Sequence, residues 1–479
     1  MVTLAKINSV FVDGAWRVLD ESRSIPLVDP HTEEITGVLS CATAEVVSDA
    51  VRAATRALRF WEVSRLEERA SVLRALFTII EQRRAKFAKT ISAEIGAPID
   101  FARTSQIDAA ISHLEATIAA LDEMQVAEQS SIYSTHQVIY EPIGVAALIT
   151  PWNWPLNQVI LKVAATIAAG CTCVLKPSEF SSRTAMLLAE CLSEAGVPKG
   201  VFNLVLGDRE TGADLVSHSD VDAVSLTGSS RAGREIARMA AARPAHCSLE
   251  LGGKSPNLIF ADCNLEKAIR QGLAHCYRNS GQSCNAASRM LVERSRYEEA
   301  VDLAAALAGA VEVGPPHRAG QHLGPLVNRA QFDHVQNMIR GGIETGLRLV
   351  VGGAGRPQGF MRGFYAKPTV FADVEPDNSL FQTEIFGPVL TMTPFDDEEH
   401  AVELANATRY GLAGYIQTSD PARAKRVSDR LKVGMVQING TSRAPGAPFG
   451  GRKASGYGRE GGLWGIREFQ NTKSVSGLV

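Results

Sequence analysis

The chain has 479 residues, 45% of them hydrophobic and 21% charged, with a formal net charge of -3. That length exceeds what one hydrophobic core fills, so two or more domains with ample buried area are expected. The near-neutral balance carries no basic stripe and no block of like charge, which argues against nucleic acid and anionic membrane surfaces as partners.

Eight cysteines, at 41, 171, 173, 191, 247, 263, 276 and 284, are dispersed along the chain. This reads as reduced thiols in a reducing compartment, with the cytoplasm as the expected location, and not as a disulfide framework. The opening Met1-Val2-Thr3-Leu4-Ala5-Lys6 has no long apolar core, and nowhere do about 18 uncharged apolar residues run together, so neither export nor membrane spanning is expected. Cys171-Thr172-Cys173 lacks the spacing of a zinc site and reads as strand packing, and Asp396-Asp397-Glu398-Glu399-His400 reads as a solvated helix start, so no metal is expected.

In chain order, residues 45–120 show apolar spacing near 3.6 and an Ala-Glu-Arg-Leu composition, which predicts helices covering a neighbouring domain, with no visible chemistry of their own. The alternating, β-rich segment 132–140 predicts an arm that pairs elsewhere and makes oligomer contacts. From 145 to 250, short β-rich runs at 145–149, 172–175, 201–205 and 223–226 alternate with helical stretches at 155–169, 181–195 and 231–242. Pro155 suits a helix start, and Gly170 and Gly196 suit helix stops. This alternation predicts parallel strands in an open, doubly wound sheet, whose ligands bind beyond the C-terminal strand ends. The pattern begins again after Lys254, with a strand at 257–260 and a helix at 265–275, and a second α/β unit runs to about 450.

Several loops carry candidate chemistry. Cys284 sits among small residues in Gly281-Gln282-Ser283-Cys284-Asn285-Ala286, a setting in which a substrate can reach a thiolate, and Glu250 in Glu250-Leu251-Gly252-Gly253-Lys254 offers a base. After the first strand, Thr150-Pro151-Trp152-Asn153-Trp154-Pro155 is stiffened by its prolines and indoles, so the Asn153 amide can be held as a donor toward developing negative charge. Lys176-Pro177-Ser178-Glu179 sets a cation and an anion at the next strand end, where they suit ribose hydroxyls. A carboxylate there disfavours a 2′-phosphate. Thr227-Gly228-Ser229 opens a helix as a pyrophosphate cradle. Two matches are set aside. Gly456-Tyr457-Gly458-Arg459-Glu460-Gly461 fits Gly-x-Gly-x-x-Gly without the strand and helix it needs, and Gly253-Lys254-Ser255 fails as a phosphate loop because Ser248 stands where the first glycine belongs.

Together with Glu384-Ile385-Phe386-Gly387-Pro388 and Pro448-Phe449-Gly450-Gly451, these segments closely resemble the NAD(P)-dependent aldehyde dehydrogenase superfamily, in order and over essentially the whole chain. The resemblance implies two doubly wound α/β domains and a β-arm for oligomerisation. Residues 1–123 and 143–252 would form the cofactor domain, 253–450 the catalytic domain, and 124–142 with 451–479 the bridging segments of a homodimer or homotetramer. It implies Cys284 as nucleophile, Glu250 as general base, and Asn153 with the Cys284 N–H as oxyanion hole. The cofactor, NAD with NADP possible, would be held by Thr150, Pro151, Trp152, Lys176, Ser178, Glu179, Gly207, Gly212, Thr227, Gly228, Ser229, Leu251, Gly252, Glu384 and Phe386. Trp154 and Arg443 would border a small-molecule aldehyde.

Glu250 favours the hydrolytic members over those that hand the acyl group to CoA. The phrase Pro445-Gly446-Ala447-Pro448-Phe449-Gly450-Gly451 looks most like catabolic members acting on aromatic, long-chain or oxo-acid aldehydes. Arg278-Asn279-Ser280 departs from the Asn-x-Gly of many relatives and alters the mouth near the nucleophile. Arg443, in the loop 439–447, either binds a distal carboxylate or faces solvent. A cysteine hydrolase paired through His275, or a non-catalytic binding protein, are the competing classes. A hydrolase would leave the Lys176 and Gly228 loops idle.

Overall fold

The apolar runs between 145 and 250 form the centre of an eight-stranded sheet. The computed structural model describes residues 5–20 and 23–477. Across this sheet the strands follow the order Gly456–Tyr457, His246–Glu250, Ala223–Thr227, Val145–Thr150, Thr172–Pro177, Phe202–Leu204, Ser9–Val12 and Ala15–Val18. Those from His246–Glu250 to Phe202–Leu204 are parallel, and the flanking strands are antiparallel. The strand at Val145–Thr150 shows why such runs read as continuously apolar. Ala146 and Leu148 pack on one face with Leu156 and Val163 of the helix Pro155–Ala169, while Val145 and Ala147 pack on the other with Val47 and Val51 of the helix Ala44–Trp61. The strand order reverses between Val145–Thr150 and Ala223–Thr227, so the loops that follow these two strands border the crevice where a doubly wound sheet binds its ligand.

A second sheet of seven strands runs Arg348–Val351, Thr369–Ala372, Val389–Phe395, Arg289–Glu293, Pro256–Ile259, Ala413–Gln417 and Met435–Ile438. All its neighbours are parallel except Arg348–Val351. The chain leaves the first sheet at Glu250, the C-terminal end of a strand, and enters the second at Pro256, the N-terminal end of another. Residues 251–255 therefore join the ligand-binding edge of one sheet to the N-terminal edge of the other, and Cys284 lies on that second edge, ahead of Arg289–Glu293.

The arm pairs elsewhere, as its alternation predicts: His136–Pro142 runs antiparallel to Gln470–Ser476 and to Ala127–Gln129. Its start is later than the sequence suggests, because the Ser130 hydroxyl accepts from the N–H groups of Ile132 and Tyr133, both at 3.2 Å, and turns the chain there. A further small sheet of Ala5–Ile7, Ile35–Ser40 and Ser24–Val28 was not expected at all. No helix among the described residues is long and apolar enough to cross a membrane, and all eight cysteines carry free thiols.

Candidate active site

The segment carrying Cys284 begins with an unusual backbone. After the helix Leu265–Tyr277, Asn279, Ser280 and Gly281 take φ of 55°, 57° and 78° in succession. Left-handed geometry suits glycine and is tolerated by asparagine, but costs about 1–2 kcal/mol at an ordinary residue such as serine. Side chains hold the turn: Ser280 donates to Gly324 O at 2.9 Å, Asn279 Nδ2 to Asn153 O at 2.8 Å, and Gln282 Nε2 to Asn279 O at 3.1 Å, while Gln282 Oε1 accepts from Val327 N–H at 3.0 Å. Gly281 is obligatory, since a Cβ there would collide with the Gly387 carbonyl. The segment does read Asn-x-Gly, as Asn279-Ser280-Gly281, so the departure expected at Arg278-Asn279-Ser280 is not one.

Two residues of the Pro151–Pro155 loop clasp the same segment. Asn153, 3% exposed, donates through Nδ2 to Gln282 O at 3.0 Å, and Trp154 Nε1 donates to Ser283 Oγ at 3.0 Å. Gln106 adds a third strap, donating to Asn153 O at 3.0 Å. One Asn153 amide hydrogen is thus engaged and the second is left for a ligand. The Cys284 backbone N–H bonds no group among the described residues.

Cys284 lies where two cavities meet. One, of about 280 Å³, is lined by Pro151, Trp152, Asn153, Thr227, Gly228, Ser229, Glu250, Gly252, Glu384 and Phe386, with Gln331 and His334. The other, of about 450 Å³, lies beyond the thiol and is bordered by Trp154, Asn157, Gln158, His275, Arg278 and Arg443, and by Thr104, Ser105, Ser112 and His113. Those last four correct the reading of 45–120 as chemically silent. The helix Ile107–Glu123 and the π-helical turn Ala102–Gln106 before it wall the cavity, an arrangement set by tertiary packing that helical periodicity cannot reveal.

In the first cavity, the helix Ser230–Ala240 opens just after Gly228, capped by Ser229 Oγ accepting from Ala232 N–H at 3.2 Å. Its N-terminal N–H groups and dipole favour an anion there. The Thr150 and Thr227 hydroxyls at the two strand ends are buried without partners among the described residues. Glu384 accepts from Gly253 N–H at 3.1 Å, and burial pushes its carboxyl up to about 7. Gly252 is required for that approach, since a Cβ would strike Glu384 Oε2. Phe386, with φ 56°, is forced into left-handed backbone, stands edge-on to Trp152 at 5.5 Å, and is pinned by Gln331 Nε2 donating to the Ile385 and Phe386 carbonyls, both at 3.0 Å.

The remaining expected residues fall into two groups. Lys176 donates to Gly207 O at 3.0 Å, packs beside Gly212, and sits near Glu179, which accepts from Ser178 Oγ at 3.2 Å. They form a second cluster at neighbouring strand ends. Leu251 does not reach the cavity; it is a core residue whose side chain fills the space above Gly233. A leucine next to Gly252 in sequence points the opposite way, as period-two backbone demands.

The titratable groups are distinctive. Glu250 is 2% exposed and, among the described residues, neither carboxylate oxygen has a partner. Burial, and secondly the neighbouring Glu460, hold its carboxyl well above the usual range, with Lys162 and Arg459 opposing. Lys162 crosses the core to reach Glu460 Oε1 at 2.5 Å and Ser225 Oγ at 2.8 Å. The Cys284 thiol is pushed up by burial, then by Glu384, Glu250 and Glu460. The charges that act on it are carboxylates, so the site does not ionise the thiol through a nearby cation. His275 is already committed: Nδ1 accepts from Ala287 N–H at 3.3 Å, and Nε2 meets the Tyr415 hydroxyl at 3.2 Å, which itself donates to Asn285 O at 2.8 Å. Burial lowers its pKa to about 4, so a cysteine–histidine pair finds no support.

Sequence reasoning missed Gln106, Lys162, Gln331, His334 and Glu460. Only Lys162 left a signal, as the one cation in a helix otherwise apolar or uncharged all round. Arg443 proves half-buried, donating to the Ala447 carbonyl and to His113 Nε2 at 3.0 Å, and its guanidinium lies 5.2 Å from the Phe449 ring centroid.

The profile of the aldehyde dehydrogenase family matches residues 16–475. The chain is 43% identical to a 3-succinoylsemialdehyde-pyridine dehydrogenase of a Pseudomonas species, over 98% of both chains. Among solved structures, an aldehyde dehydrogenase of Bartonella henselae superimposes with a TM-score of 0.97 at 44% identity, over 99% of this chain and 100% of that one. An aldehyde dehydrogenase C variant of Pseudomonas syringae, complexed with NAD+ and octanal, superimposes with a TM-score of 0.96 at 42% identity, over 98% and 97%.

Proposed function

Because the chain belongs to the aldehyde dehydrogenase family, and so is an oxidoreductase acting on aldehydes, we propose that it oxidises its aldehyde to the carboxylic acid with NAD, through covalent intermediates on Cys284. The observation that carries this reading is the position of Cys284 at the junction of two cavities, one built for an anionic cofactor and the other open to a small molecule.

The first cavity fits NAD in its donor set: a helix N-terminus behind Gly228 and Ser229 for phosphate, orphan hydroxyls at the switch point, and Glu384 with Phe386 close to the thiol. Trp152 and Pro151 would complete that wall, and Lys176, Ser178, Glu179, Gly207 and Gly212 would take the adenosine end. Among the described residues the Glu179 carboxylate forms no ion pair, with Lys176 acting on it only from a distance, which favours the free 2′-hydroxyl of NAD over the 2′-phosphate of NADP. Bound NAD supplies the acceptor for the hydride that leaves the substrate carbon.

Glu250 takes the Cys284 thiol proton as sulfur adds to the aldehyde carbon. A carboxylate whose pKa lies above the usual range is the stronger base, so burial equips Glu250 for this work. The carbonyl electron pair moves onto oxygen, where the free Asn153 amide hydrogen and the Cys284 N–H stabilise it. Loss of hydride leaves a thioester on Cys284. Glu250 releases the thiol proton to solvent and then takes one from a water that attacks the acyl carbon; the carbon–sulfur bond breaks, the acid departs, and Glu250 returns its proton to the leaving thiolate to restore the thiol. Aromatic, long-chain or oxo-acid aldehydes are the substrates we favour. The sheet of His136–Pro142 and Gln470–Ser476 would serve a homodimer or homotetramer, and free thiols suit the cytoplasm.

Product analysis tests the hydrolytic assignment. With NAD, an aldehyde and CoA all present, the reading expects free acid equal to the NADH formed; acyl-CoA as the main product would overturn it.

A further inference from the structure

The cavity beyond Cys284 contains two guanidinium groups that form no ion pair among the described residues, Glu460 acting on Arg443 only from a distance. Arg278, in the strained turn just before the nucleophile, has its guanidinium 4.9 Å from the Trp154 ring and 5.8 Å from that of Phe101, and among the described residues it forms no hydrogen bond or ion pair. Burial holds it below the usual arginine range. Arg443, from the loop 439–447, is oriented by the Ala447 carbonyl and by His113. Since a guanidinium only donates, His113 Nε2 must be the acceptor, and burial with the Arg443 charge lowers the imidazole pKa to about 4, which keeps it neutral. Arg443 is therefore held by neutral groups and retains donors for a ligand.

The other polar groups fit the same picture. The side-chain amides of Asn157 and Gln158 line the cavity, are themselves almost fully buried, and hydrogen-bond no other described residue. The carboxylate at the rim, Asp108, is already paired with Arg84. Desolvated cations without counter-ions are costly, and a carboxylate presenting two oxygens to guanidinium donors is their natural complement.

We infer that Arg278 and Arg443 bind an anionic group at the far end of the substrate, so that the enzyme prefers aldehydes carrying a distal carboxylate over neutral aldehydes of the same length. This rests on the aldehyde-oxidising reading above and names the substrate class of that site.

The test compares matched pairs: 5-oxopentanoate with pentanal, and 4-carboxybenzaldehyde with 4-methylbenzaldehyde. The expected result is a higher kcat/KM for the acid of at least one pair, with the acid-to-neutral ratio falling about 30-fold or more in R278M and in R443M, and partly retained in R443K. A second arm needs no turnover: without cofactor, glutarate raises the thermal midpoint of the wild type more than pentanoate does, and this difference is lost in both methionine variants. A wild-type preference for the neutral member of both pairs, or a ratio unmoved by either methionine substitution, would overturn the inference. No NADH from any of the aldehydes would instead overturn the aldehyde-oxidising reading, and the glutarate arm would still decide the anion site.

Discussion

Asn153 and Gln282 are joined at 3.0 Å across 129 positions of sequence, amide hydrogen to carbonyl oxygen. The bond ties the loop leaving the first sheet to the segment that carries Cys284, and it leaves the second amide hydrogen unengaged. Asn153→Ala removes both. Loss of one oxyanion donor typically lowers kcat about 100- to 1,000-fold, so steady-state kinetics on N153A should show at least that fall. A change confined to KM would remove Asn153 from the chemistry.

Glu250→Gln tests the base in both half-reactions. The variant can take neither the thiol proton nor a proton from water, so first-turnover NADH formation and acid release should both slow, with steady-state turnover lowered about 100- to 10,000-fold. Undiminished acid release would assign the base elsewhere.

The buried pair Lys162–Glu460 acts on the Glu250 carboxyl. Glu460 raises the Glu250 pKa and Lys162 lowers it. As the proposed base Glu250 would work deprotonated, so activity should rise with pH through its pKa. Glu460→Gln removes the raising charge and should move the acidic limb of the kcat profile to lower pH; Lys162→Met should move it to higher pH. Because the lysine and glutamate side chains are only 1% and 6% exposed, either single change strands a buried charge and should cost about 3–5 kcal/mol in denaturant unfolding, with the double variant recovering much of it.

Much of this was legible beforehand. The helix Pro155–Ala169 has the bounds that Pro155 and Gly170 announce, and the apolar strand runs are visible because a doubly covered parallel sheet buries every residue. The N-terminal strands were not visible: Ala15–Val18 is exposed throughout, and Ser24–Val28 alternates only Ile25 and Leu27 around Pro26, too short a run to announce an edge strand. Around the site, contiguous motifs placed Asn153, Glu250 and Cys284, whereas Gln106, Gln331 and Glu460 arrive from distant elements through packing. The left-handed pair Asn279-Ser280 has no glycine to announce it, and Leu251 was drawn into the cofactor set by its neighbours when its side chain belongs to the core.

Gly252 offers a check on the cofactor cavity. Gly252→Ala would set a Cβ against Glu384 Oε2 and displace a carboxylate held by Gly253 N–H. A hydrogen bond to a charged group is worth about 1.5–3 kcal/mol, so calorimetric titration should find NAD bound more weakly by about 10- to 100-fold. Unchanged affinity would place the nicotinamide end away from Glu384.

The most direct measurement follows absorbance of the reduced cofactor when wild type and Cys284→Ala are each mixed with NAD and a panel of aliphatic, aromatic and carboxylated aldehydes. The account predicts NADH formation by the wild type and none above background by the variant. Equal rates in the two proteins, or no signal from the wild type with any aldehyde, would contradict it.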